Sequence, residues 1–239
     1  MCADLPSVGY GLATEDDLQQ TAKLVESEGP GCLAVVADVR DPNAMTDVAL
    51  QAQQRFGSVD ILLANAGISH TRVIQSYEPE AWDEILGTNL TGVFNSIRAV
   101  APIMIEQRFG RIVATSSMLG RSTTGGQAGY CATKWGVIGL VKSVAQDLAP
   151  FGVTVNAVAP GNIDTPMVKN DALYRVVRPD LTDPQWEDVA GLMQMLHVQP
   201  IAVLPPEDVT EAIMFLLRAE HVTGSVIDVN AGASARFTA

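Results

Sequence analysis

An α/β protein built on a doubly wound parallel sheet is the fold this sequence predicts, on three observations. Short apolar runs rich in Val, Ile and Leu alternate with stretches of helical length, as repeated βαβ units require. The clearest run, 59–64, is apolar at every position but Asp60, close to the pattern of a strand covered by helices on both faces. Polar residues follow several of the runs, at Asp38, Asn65, Ser116, Ser117 and 156–161, where open parallel sheets place their ligand sites. A length of 239 residues suits one domain, 1–239, better than two with separate cores.

Residues 1–13 read as loop, with Gly9, Tyr10 and Gly11 as part of it. Thr14 with Asp17 forms a capping-box start for a helix to about Glu28. Residues 32–39 read as a strand. Pro42 occupies the first turn of a helix reaching about Phe56. The strand at 59–64 ends in the loop Asn65-Ala66-Gly67. A helix from Pro79 to about Arg108 is interrupted near 87–92, and 111–115 is the next strand. Helix 127–149 and strand 153–158 follow. Residues 160–204, with several prolines and amphipathic pieces, read as a lid over the substrate. A helix from Pro206 to about Arg218 and a strand at 225–229 close the pattern.

Composition narrows the function. Hydrophobic residues make up 47% of the chain and aromatics 5%, which favours small-residue α/β packing over an aromatic-rich sandwich. A formal charge of −12 and the lack of Lys/Arg clusters argue against a nucleic-acid backbone as partner. No apolar run approaches the ~20 residues needed to cross a bilayer. Cys2, Cys32 and Cys131 lack metal-ligand spacing and read as free thiols of a cytoplasmic protein. His70, His197 and His221 are dispersed, so no metal site is expected. The absence of a Gly-x-Ser-x-Gly elbow argues against a serine hydrolase. Met167, Met193, Met195 and Leu196 read as core or pocket wall, and Trp135 and Trp186 as substrate-facing or interface residues.

The chemistry concentrates between Ser117 and Lys134. Tyr130 and Lys134 stand four apart at the start of a helix, so both side chains lie on one face. A neighbouring ammonium favours the phenolate, which is expected to lower the Tyr130 pKa towards the range of a general base. Ser117, in the loop after a strand, can bring a hydroxyl to the same place.

Six elements in fixed order, Asp38-Val39, Asn65-Ala66-Gly67, Asn89, Ser117 with Tyr130-x-x-x-Lys134, Asn156 and Pro160-Gly161-x-x-x-Thr165, resemble the short-chain dehydrogenase/reductase family. The spacing to Tyr130 selects Ser117 over Ser116. The resemblance implies a Rossmann-type fold and NAD(P)-dependent interconversion of a secondary alcohol and a ketone. In it Tyr130 exchanges a proton with the substrate oxygen, Ser117 hydrogen-bonds that oxygen, and Lys134 holds the nicotinamide ribose. Asn89 distorts its helix and holds a water leading to Lys134. Asp38 and Val39 receive the adenine, while Asn65, Ala66 and Gly67 allow close approach of the cofactor. Pro160, Gly161, Ile163 and Thr165 hold the carboxamide end. The loop preceding Leu12-Ala13-Thr14 and the segments at 170–181 and 229–232 resemble the carveol-dehydrogenase-like, mycofactocin-coupled branch, which implies a terpenoid-like or otherwise hydrophobic alcohol and a tightly held NAD. A homo-oligomer, tetramer or dimer, through helices 79–108 and 127–149 is the implied assembly.

One element of the family pattern is missing. The turn Thr-Gly-x-x-x-Gly-x-Gly, which receives the pyrophosphate at a helix amino terminus, does not occur. The near match Thr124-Gly125-x-x-x-Gly129-x-Cys131 lies inside the catalytic stretch. The sequence thus predicts a family fold lacking its first two strands and first helix, with the 32–39 strand deprived of its link to 59–64. Asp4 is not matched to the acidic residue that selects NAD. An amino-terminally shortened reading of a longer gene, a remnant acting as a binding or assembly protein without catalysis, and re-pairing of strands or their supply by another chain remain the alternatives.

Overall fold

A computed structural model describes Val8, residues 10–29 and residues 31–236; the readings at residues 1–7, including Cys2 and Asp4, and at Gly9 lie outside them. Among the described residues eight α-helices and four strands run α1 (Glu15–Glu28), α2 (Pro42–Phe56), β1 (Ile61–Ala64), α3 (Pro79–Leu86), α4 (Gly92–Gln107), β2 (Gly110–Thr115), α5 (Ala128–Leu148), β3 (Val153–Pro160), α6 (Asp171–Val177), α7 (Trp186–Gln194), α8 (Pro206–Arg218) and β4 (Val226–Val229). Thr14 accepts from Asp17 N–H while the Asp17 carboxylate accepts from Thr14 N–H at 2.8 Å, closing the expected capping box. Pro42 starts α2 behind the Asp41 side-chain cap.

The strands pair in parallel in the order β1-β2-β3-β4. Ile112, Ala114, Val153, Val155 and Ala157 point to one face, where Ile97, Val100, Val137 and Val141 of α4 and α5 close the main core. Val113 and Val158 point to the other and meet Leu216 of α8. Alternate strand residues thereby bury both faces of β2 and β3, giving the helix–sheet–helix layering the sequence predicts.

Two expectations fail at the β1 side. Residues 32–39 form an extended segment outside any ladder, and β1 is not buried on both faces: Ile61 is 49% and Leu63 48% exposed. The cause is common to both. Among the described residues no strand lies on the outer edge of β1, so the 32–38 backbone has no ladder to join. It stays partly solvated, which spares it the cost of buried unpaired groups. Its end is nonetheless fixed, because Asn95 Nδ2 donates to Val39 O at 2.9 Å and to Arg40 O at 3.2 Å. A Cβ on Gly92 would lie 2.5 Å from Val39 Cγ2 and 3.0 Å from Val39 Cβ. Gly92→Ala is therefore expected to cost about 1–3 kcal/mol through overpacking, measured as a lower urea midpoint with an unchanged slope.

Asn156 is also placed differently from the reading at a strand end. It sits within β3, fully buried, where Nδ2 donates to Val222 O at 2.7 Å and Oδ1 accepts from Ser225 N–H at 3.0 Å. Its work is to fix the approach to β4.

The 160–204 segment leaves and re-enters the body at one point. Ile163 bridges Leu204; Asp164 N–H donates to Leu204 O at 2.9 Å and Leu204 N–H to Asn162 O at 2.8 Å. His197, 2% exposed, clamps this stem: Nε2 accepts from Asn162 N–H at 3.3 Å, which assigns the proton to Nδ1, 2.8 Å from Ile201 O. Met193 is buried, whereas Met195 is 67% and Leu196 44% exposed, so the last two are not core.

Candidate active site

The site forms where β1, β2 and β3 end and α5 begins. Past β2, Ser116 Oγ donates to Lys134 O at 2.9 Å, and the bare Cα of Gly120 lets the turn press on the α5 backbone. That contact sets Ser117 against α5. Its Oγ accepts from Leu119 N–H at 3.1 Å and lies close enough to the Tyr130 phenol to favour its ionised form.

Tyr130 and Lys134 lie one turn apart on α5, with Lys134 Nζ 5.4 Å from the Tyr130 ring centroid. Nζ donates to Thr115 O at 2.8 Å, and among the described residues its other two donors meet no protein acceptor. Burial pushes the Tyr130 phenol up to about 12 and the Lys134 ammonium down to about 8. The expected depression of Tyr130 is thus absent in this state. Loss of hydration outweighs the Ser117 hydrogen bond, and the ammonium bonds a carbonyl at the edge of β2.

Asn89 lies fully buried in a π turn, Gly87–Thr91, between α3 and α4, the predicted interruption. Oδ1 accepts from Ile68 N–H and Nδ2 donates to Ile68 O, both at 2.8 Å. Nδ2 also reaches Thr133 Oγ1 at 3.4 Å, and Thr133 Oγ1 donates to Tyr130 O at 2.8 Å. The loop after β1 is in this way tied to the catalytic helix. Asn65 Oδ1 accepts from Thr115 Oγ1 at 2.8 Å, joining the ends of β1 and β2.

Gly67 faces the ammonium directly. A Cβ there would stand 3.5 Å from Lys134 Nζ and 3.4 Å from Asn89 Oδ1. On the far side Gly161 N–H donates to Val229 O at 2.9 Å, and Thr165 Oγ1 donates to Ile163 O at 3.3 Å. Asp38 carries an Arg40 fork, with Nη2 2.6 Å from Oδ2 and Nε 3.0 Å from Oδ1, which holds its carboxyl below the usual range.

Sequence reasoning missed Tyr10, Ser69 and Gln127. Tyr10 OH accepts from Ser69 N–H at 3.0 Å across 59 positions, and Ser69 Oγ lies 3.4 Å from Gln127 Oε1. No periodicity links residues so far apart. Cys131 is buried and its thiol is pushed up by that burial, which makes it a packing residue. Trp135 is 43% exposed, with Nε1 donating to Ser122 O at 3.2 Å. Trp186 packs on Tyr174 at 6.2 Å. His70, 1% exposed, pairs with Glu84 at 3.1 Å, away from His197.

The side chains of Ser117 and Tyr130, an ammonium one turn on, and a bare glycine facing it come together at the ends of the strands. The chain belongs to the short-chain dehydrogenase family, whose model matches residues 7–174. Within it the chain falls in the carveol-dehydrogenase-like branch. A (−)-trans-carveol dehydrogenase of Rhodococcus erythropolis is 38% identical over 233 residues, 96% of this chain and 84% of that one. Carveol dehydrogenase from Mycobacterium avium, solved in complex with NAD, is 34% identical over 97% of this chain and 85% of its own, with a TM-score of 0.94. A short chain dehydrogenase from Mycobacterium paratuberculosis bound to NAD is 30% identical over 98% and 86%, at a TM-score of 0.86. Dehydrogenases at this similarity do not favour a purely structural remnant. The family works with NAD(P), and the nicotinamide–ribose end of such a cofactor suits the residues present: Gly67 leaves open the volume a Cβ would fill, and Lys134 has donors to spare for hydroxyls. Among the described residues no helix is long and apolar enough to cross a membrane, and no three His, Cys, Asp or Glu side chains converge as a metal set.

Proposed function

We propose that this chain oxidises a hydrophobic, terpenoid-like secondary alcohol to the ketone, and runs the reverse reduction, by a Ser117–Tyr130–Lys134 relay. The observation that carries the reading is Lys134 Nζ standing 5.4 Å from the Tyr130 ring centroid, one turn along α5, with Gly67 facing the ammonium. Bound NAD supplies the acceptor for the hydride that leaves the carbinol carbon. Ser117 donates to the substrate oxygen and orients it. Tyr130 takes the hydroxyl proton in oxidation and returns one in reduction, so one proton and one hydride leave the alcohol together. Lys134 holds ribose hydroxyls with its two remaining donors and passes positive potential to Tyr130. Asn89 holds the 68 backbone and α5 in register and leads protons towards solvent. Asp38 and Val39 serve the adenine, Asn65, Ala66 and Gly67 the ribose side, and Pro160, Gly161, Ile163 and Thr165 the carboxamide. The 160–204 segment acts as substrate lid, supported by its closed stem and by the exposed apolar Leu192, Met195 and Val198. Exposed Phe94 and Trp135 on α4 and α5 support a dimer or tetramer through those helices.

The test is calorimetry with NAD and with NADP, followed by NADH formation with apolar secondary alcohols. Micromolar NAD binding and turnover of a cyclic terpenoid alcohol are expected. Absence of binding at millimolar cofactor removes the reading.

A further inference from the structure

Val8, Tyr10 and Leu12, ahead of α1, pack beside the site although no periodicity places them there. Val8 is 7% exposed and buries itself with the fully buried Ile68 and Ile85, and Tyr10, Leu12 and Tyr130 pack on the same cluster. Tyr10 therefore touches two parts of the machinery. Its hydroxyl accepts from the backbone N–H of Ser69, two residues beyond the glycine that faces Lys134, and its ring belongs to the cluster that includes the Tyr130 ring.

The turn that Tyr10 holds is itself anchored to the start of α5. Arg72 N–H donates to Gly126 O at 2.7 Å, Gln127 Nε2 donates to Thr71 Oγ1 at 2.8 Å, and Gln127 directly precedes α5. Tyr10, the 69–72 turn and the Tyr130 end of α5 form one continuous block. An aromatic ring with its hydroxyl engaged presents an apolar body to its surroundings. Burial is the largest influence on the Tyr130 phenol, and Tyr10 acts in the same direction.

Resting on the dehydrogenase reading above, we propose that Tyr10 is a positioning and specificity-determining residue, whose ring walls the substrate side of Tyr130 with apolar surface while its hydroxyl pins the 69–72 turn. The strap favours apolar secondary alcohols and keeps bulk water from the proton-exchanging hydroxyl. Leu12 extends the wall, and Ile68 and Ile85 back it.

The test compares wild type with Tyr10→Ala, Tyr10→Phe and Tyr10→Leu. For Tyr10→Ala the KM for an apolar cyclic alcohol is expected to rise about tenfold, the equivalent of one lost aromatic contact, while that for 2-propanol stays unchanged. Tyr10→Phe and Tyr10→Leu, which keep an apolar wall, should restore most of the preference. A second readout uses no cofactor. The slowest-titrating phenol, assigned by its loss in Tyr130→Phe, should ionise at lower pH in Tyr10→Ala because water reaches it. Equal changes for both alcohols, or an unmoved Tyr130 titration in a folded Tyr10→Ala, overturn the proposal, as does loss of the apolar preference in Tyr10→Phe and Tyr10→Leu, which stays readable if the alanine variant does not fold. A wild-type chain that turns over neither alcohol removes the dehydrogenase reading instead, and the phenol titration still judges whether Tyr10 shields Tyr130.

Discussion

Tyr130→Phe is expected to lower kcat about 10²–10⁴-fold, the range a general acid/base contributes, with no loss of fold. The substitution deletes one oxygen and keeps the ring that packs with Ile68 and Ile85. What disappears is the hydroxyl proposed to exchange a proton with substrate oxygen. NAD binding should be retained, since Lys134 and the Gly67 loop are untouched, so calorimetry and steady-state kinetics together separate a lost relay from a lost site. Undiminished turnover would rule the relay out. The pH profile carries the same chemistry. With the phenol held at about 12 before cofactor binds, the ionised form is scarce at neutrality, and oxidation should quicken steadily as pH rises.

Lys134→Met is expected to move activity and stability in opposite directions. Removing the ammonium takes away the contact to ribose and the charge that favours the phenolate, a loss of about 10²–10³-fold in kcat/KM by comparison with other electrostatic site groups. Stability should rise, because Lys134 is 4% exposed and its folded pKa is lowered from 10.5 to about 8 by burial alone. The sign follows from proton counting. Below pH 8 the lysine is charged in both folded and unfolded chains, and the whole penalty of its burial is carried. Between about 8 and 10.5 the unfolded chain holds a proton the folded chain has released, so wild-type stability climbs with pH across that window. Methionine, apolar and of similar length, removes the penalty and forgoes only the bond to Thr115 O. A gain on the order of 1–3 kcal/mol at pH 7 is expected, shrinking as pH rises from about 8 to 10.5. Tyr130 acts in the reverse sense in both proteins: its folded value of about 12 against 10 makes stability fall between those two pH values. Urea titrations at pH 7 and pH 10 read the lysine effect, and a third above pH 10 reads that of Tyr130. A variant less stable than wild type at pH 7 would show that Lys134 contributes more through its contacts than its burial costs.

Much of this was legible because it rests on short-range rules. The Thr14–Asp17 box, Pro42 at the start of α2 and the four-residue step from Tyr130 to Lys134 are local in sequence and local in space. The π turn at Gly87–Thr91 was legible as a break between two helical patterns, although the bonds that explain it, from Asn89 to Ile68, span 21 positions. What escaped depends on partners. Residues 32–39 have strand composition, yet a strand exists only where another backbone lies alongside, and that property belongs to the neighbour. The same holds for Ile61 and Leu63, whose apolar character promises burial that no layer among the described residues supplies. The Tyr130 pKa was misjudged for a related reason. Spacing announces an ammonium nearby, whereas the depth at which both groups lie, and the carbonyl that claims the ammonium, emerge only in three dimensions. Tyr10 was invisible to any periodicity.

The joined ends of the 160–204 segment bear on how such a protein can diversify. Because Ile163, Asn162 and Leu204 close the excursion and His197 locks it, the intervening chain is a cassette whose two attachment points are bonded to each other. Closing a longer flexible loop costs little more than closing a shorter one, about 0.6 kcal/mol per doubling. Residues can therefore be inserted, deleted or exchanged between Pro166 and Leu196 with the chemistry at Ser117 and Tyr130 left in register. A lineage, or a protein engineer, can explore new alcohols through this cassette while the reaction itself is inherited intact.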